Sequence, residues 1–63
     1  MKKEEWYTIF YLSLGGIPQD IDAVKTLAEA RAVKEKFSKV YKNVGIEWWR
    51  RSEKGTLTHK EIL

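Results

Sequence analysis

The chain reads as an α+β domain with a single helix packed on one face of a three-stranded, mainly antiparallel sheet, half-ferredoxin-like, in the order strand, helix, strand, strand. Three observations predict this. An aromatic-rich run at residues 6–14 lacks any helical stripe, a capping box at residue 26 opens a stretch of helical spacing, and a second alternating run at 44–51 is followed by a glycine turn.

The first element, Trp6 to Leu14, is dense in aromatic and branched side chains and stops at the Gly15-Gly16 pair, which predicts a strand. Alternation places Trp6, Thr8, Phe10, Leu12 and Leu14 on one face and Tyr7, Ile9, Tyr11 and Ser13 on the other. Neither face is polar, as expected of a central strand or of one that turns its second face to a partner. From Gly15 to Lys25 the breakers Gly15, Gly16 and Pro18 mix with the apolar Ile17, Ile21 and Val24, and a lid-like loop is expected.

Thr26-Leu27-Ala28-Glu29 matches the S/T-x-x-E capping box, so a helix starts near Leu27. Leu27, Ala30, Val33, Phe37, Val40 and Tyr41 form its apolar stripe, with Arg31, Lys34, Glu35, Lys36, Lys39 and Lys42 off it. Asn43 is the expected left-handed stop. In the next run, Val44, Ile46 and Trp48 share one face and Glu47, Trp49 and Arg51 the other. Ser52-Glu53-Lys54-Gly55 is a turn, and 56–63 is a weaker strand that completes a hairpin. Placing the last strand between the first two makes every pairing antiparallel and is the preferred order; the other order puts it at the outer edge beside a parallel pair.

Sixty-three residues allow one domain, residues 1–63, and the absence of cysteine excludes a disulfide framework and a Cys-based zinc site. Val, Ile, Leu and Phe make up 16 of the 63 residues, above the roughly 20% level at which disorder becomes the better expectation. No apolar run reaches the roughly 18 residues of a membrane span, and Gly15-Gly16-Ile17-Pro18 lacks a signal-peptide cleavage pattern. A soluble, unprocessed, cytoplasmic protein is expected.

No catalytic set can be assembled. His59 is the single histidine and sits between Thr58 and Lys60 in a polar segment, with no nucleophile or orienting acid at a recognisable spacing. Glu4-Glu5 and Asp20-x-Asp22 lack the remainder of a metal loop, and Gly15-Gly16 lacks the continuation of a phosphate cradle. No enzyme activity, cofactor, metal or small-molecule substrate is indicated.

The uncovered sheet face carries the functional expectation. With Phe10, Leu12, Val44, Ile46 and Trp48 under the helix, Tyr7, Ile9, Tyr11, Glu47, Trp49 and Arg51 project outward together. Tyr, Trp and Arg are the types enriched at interface hot spots, so Tyr7, Tyr11, Trp49 and Arg51 are candidates for contact with a protein partner or a second copy. The plainer account is cross-strand packing on a solvated face. Nucleic acid is the alternative: residues 1–30 carry three cations and five anions, residues 31–63 nine and four, and unpaired bases stack on sheet aromatics. Lys39, Lys42, Arg50, Arg51 and Lys54 are the corresponding contacts. The short, lysine-rich chain with its Thr-x-x-Glu-Ala helix start is similar to many small accessory proteins of phages and mobile elements. That similarity implies an inhibitor or adaptor that occupies another macromolecule's surface.

Overall fold

The computed structural model describes residues 3–62. Its elements are β1 (Glu4–Leu12), β2 (Pro18–Val24), α1 (Leu27–Phe37), β3 (Val44–Arg51) and β4 (Leu57–Ile62). Lys2, and Leu63 at the end of the expected last strand, lie outside the described residues. The helix packs on an antiparallel sheet, but that sheet has four strands, in the order β2-β1-β3-β4.

The additional strand replaces the expected loop. Ser13 N–H donates to Ile17 O and Gly16 N–H to Ser13 O, each at 2.9 Å, which closes a hairpin after β1. Gly15 and Gly16 adopt φ of 86° and 77°, the left-handed region that glycine enters without a Cβ clash. Beyond it, β2 pairs with β1 from Leu12↔Pro18 to Tyr7↔Val24, with a shift between Ile9 and Phe10 that leaves Ile21 without a partner. This bulge lets Ile21 and Val24, three apart, both pack against the core. A three-residue apolar interval breaks the period of two by which strands are recognised, so the segment does not read as one.

The hairpin also changes the topology. A chain that leaves β1 directly for a helix returns parallel to it, whereas one that first reverses through β2 returns antiparallel. So β3 pairs directly with β1, Glu4↔Arg51 through Tyr11↔Val44, and β4 lies outside β3 rather than between the two.

Thr26 caps α1: Glu29 N–H donates to Thr26 Oγ1 at 3.2 Å, and the Thr26 hydroxyl donates to Glu29 Oε1 at 3.2 Å. The helix stops a turn before the end of its apolar stripe. Ser38 Oγ donates to Lys34 O at 2.6 Å, Val40 is 71% exposed, and Tyr41 leaves the helix to stack on Tyr11 at 4.2 Å. Asn43 has the expected positive φ, 59°, but it lies just ahead of β3 and not at the helix end, which Ser38 caps, so it turns the chain into β3 rather than stopping α1. At the β3–β4 turn Gly55 has φ 88° and donates to Ser52 O at 2.9 Å, as the turn residues require.

The core is small. Ile9, Ala30 and Ile46 are buried, with Tyr7, Ile21, Val24, Val33, Val44 and Ile62 packed around them. Ile9 and Ile46 are direct partners across β1–β3, and Ala30 gives the short side chain that allows the helix to approach. Consequently Tyr7, Ile9 and Tyr11 face the helix, and Trp6, Thr8, Phe10 and Leu12 face away. The expected β1 faces are therefore exchanged, while those of β3 are as expected. α1 lies over β1, β2 and β3 and does not reach β4.

Candidate protein-binding face

Among the described residues no layer covers one of the two sheet faces. Paired residues of antiparallel strands share a face, so the register assigns to it Glu4, Trp6, Thr8, Phe10 and Leu12 of β1, Gly45, Glu47, Trp49 and Arg51 of β3, Leu57, His59 and Glu61 of β4, and Pro18, Asp20 and Ala23 of β2.

An aromatic row crosses its middle. Trp6 and Trp49 are direct partners whose rings lie parallel, 4° apart in plane and 6.1 Å between centroids. Trp49 and His59 are direct partners on the other side, 4.7 Å apart. Trp49 Nε1 donates to Thr8 Oγ1 at 3.1 Å, which locks the indole in the row. The Arg51 guanidinium lies 5.5 Å from the Trp6 ring and 3.4 Å from Glu4 Oε1. Ring edges and a forked cation are thus held in fixed orientation, with little rotamer freedom left for a partner to remove.

Beside the row the Phe10 ring lies across Gly45. A Cβ built at Gly45 would meet the ring at 2.6 Å, so only glycine lets it lie flat on the neighbouring strand. Phe10, Leu12 and Pro18, with Asp20, Glu47 and Glu61, line a cleft of about 190 Å³. Glu47 and Glu61 are direct cross-strand partners, and His59 Nδ1 lies 3.2 Å from Glu47 Oε2. Leu12, Leu14 and Ile17, 39%, 98% and 58% exposed, extend the apolar surface to the hairpin tip.

Of the four residues expected on this face, Trp49 and Arg51 lie on it and Tyr7 and Tyr11 do not. Tyr7 packs against the core and lines a second, shallower groove of about 570 Å³ with Trp48, Lys60, Glu61 and Ile62, where α1 leaves β4 bare. Tyr11 is held by Tyr41. A β1 that is aromatic on both sides carries no polarity signal to fix its faces, and burial goes to the branched Ile9 that fits beneath Ala30. Trp6 and Phe10 were missed for the same reason; the alternation of β3, extended through the direct pairing of β1 with β3, identifies them.

The residues expected for nucleic acid are not gathered. Lys39 and Lys42 follow the helix, Arg50 lies on the helix side, Lys54 sits in the β3–β4 turn, and Arg51 alone of the five shares the aromatic face. Among the described residues no group of three or more His, Cys, Asp or Glu is placed to hold a metal ion, and no helix is long and apolar enough to cross a membrane. Compared with known proteins, the chain matches no family model, no curated protein and no solved structure.

Proposed function

We propose that the protein is a non-enzymatic binding module, an inhibitor or adaptor of the kind found among phage and mobile-element accessory proteins, that contacts a protein partner through the open sheet face. The observation that carries this is the ordered Trp6–Trp49–His59 row beside an apolar cleft on a face with no covering layer. Large rigid aromatics flanked by an arginine are the composition of interface hot spots, and a surface of this kind on so small a domain marks an interaction site. The nucleic-acid alternative has less support, because Arg51 alone of the five expected cations shares the face of the aromatic row, and a stacking platform needs aromatics and several cations together.

The test pairs Trp49→Ala with capture of partners by immobilised protein, with folding of the variant checked by circular dichroism. A partner retained by the wild type, and by an Arg31→Ala control on the helix, should be lost by Trp49→Ala. Equal retention by all three proteins removes the open face as the binding surface.

A further inference from the structure

We infer that the occupant of the open face is a cationic polypeptide segment, bearing arginine or lysine, and that Glu47 and Glu61 select it. This deepens the binding reading above and rests on it.

Charge is the first ground. The formal +3 of the chain is unevenly divided: the open face carries Glu4, Asp20, Glu47 and Glu61 against Arg51, a sum of −3, so the remainder carries +6. A nucleic-acid backbone would meet this face against repulsion. A second copy docked face to face would set −3 against −3 within a Debye length of about 8 Å. A basic segment is attracted, and complementary charge steers its encounter.

The second ground is a local conflict. Glu47 and Glu61 stand directly opposite across β3–β4, and like charges in direct cross-strand register destabilise a sheet. Among the described residues the only salt-bridge partner within 4 Å of either carboxylate is the His59 ring, beside Glu47. The same two carboxylates, with Asp20, rim the cleft whose walls are Phe10, Leu12 and Pro18. An apolar wall with an anionic rim fits a side chain that has an aliphatic stem and a cationic head. The adjoining Trp6 ring already accepts a guanidinium, that of Arg51. A cation seated between Glu47 and Glu61 would relieve their repulsion, so the free protein holds an arrangement that is unfavourable until the face is occupied.

Two effects of opposite sign follow from one substitution. Glu61→Gln raises the thermal midpoint of the free protein and weakens binding of a cationic peptide, a combination that a merely solvated glutamate would not show. The probe is a hexa-arginine peptide, titrated by tryptophan fluorescence at low and physiological salt, alongside hexa-glutamate and a thymidine oligonucleotide. Hexa-arginine should bind best, more weakly at higher salt. Glu47→Gln/Glu61→Gln should weaken it at least about tenfold, and Glu35→Gln/Glu53→Gln, which changes net charge equally but away from the face, should leave it within about twofold. Equal affinity for the wild type and the Glu47/Glu61 double variant, or tighter binding of the oligonucleotide, overturns the inference. If that occurs while Trp49→Ala still abolishes partner capture, the face binds a partner of other chemistry and the broader proposal stands. If Trp49→Ala is also without effect, both fail.

Discussion

Trp49 shows how one side chain can organise a surface. It is clamped between Trp6 and His59 by direct cross-strand pairing, and its single donor is used internally on Thr8 Oγ1 at 3.1 Å. The ring therefore has one orientation, which a stacked pair alone does not impose. Thr8→Val keeps the shape and β-propensity of residue 8 and removes the acceptor. The half-buried indole N–H then lacks its protein partner, and a loss of about 1 kcal/mol in urea denaturation is expected, with a shift of the Trp49 indole proton resonance. An unchanged resonance would mean that the hydrogen bond does not hold the ring. Thr8 lies forty-one residues from Trp49, and the Thr8–Trp49 bond exists because Ile9 pairs with Ile46 and so sets the register.

At the scale of elements, local chemistry was readable where it is self-contained. Thr26 caps the helix where the Thr26 and Glu29 spacing requires, although the Glu29 carboxylate accepts from the Thr26 hydroxyl and not from its backbone N–H, and Asn43 and Gly55 take the positive φ that their residue types permit. Thr26→Ala should cost about 0.5 to 2 kcal/mol and accelerate amide exchange in the first turn of α1 while leaving the β3–β4 hairpin protected. β2 was not readable, because its bulge at Ile21 is imposed by pairing with β1 and breaks the alternation by which a strand is recognised. The helix C-terminus was misjudged for a related reason. Tyr41 has the right spacing for the helical stripe, yet in the structure it stacks on Tyr11, a contact that no local pattern contains.

At the scale of the whole molecule the decisive fact is that, among the described residues, five elements share a core of three buried side chains. A stability of about 0.05 to 0.15 kcal/mol per residue implies about 3 to 9 kcal/mol for a chain of this length. Ile46→Ala, removing a side chain 2% exposed at the centre of that core, should cost about 2 to 5 kcal/mol. A lowered and broadened thermal transition is expected; a midpoint within a few degrees of wild type would mean that the sheet is held by something other than this core. The accessible area points the same way. At 4990 Å² it exceeds the roughly 4,200 Å² expected for a folded monomer of this mass, as a four-stranded sheet with one face uncovered and only part of the other beneath a helix would.

The amino-acid sequence by itself determined the fold class, the cap and turns, the half-buried alternation of β3, and thereby the exposure of Glu47, Trp49 and Arg51. Each depends on residues within a few positions of one another, where spacing and side-chain chemistry act before any tertiary contact. Strand number, strand order and the face of β1 were decided only by the tertiary structure. β1 is apolar on both sides, so its local pattern is satisfied equally by either orientation. The choice falls to long-range packing: a branched Ile9 lies against Ile46 beneath the small Ala30, and the flat rings of Trp6 and Phe10 are turned to the side where no helix must approach. That choice moved Tyr7 and Tyr11 to the helix side and assembled the Trp6–Trp49–His59 row in their place.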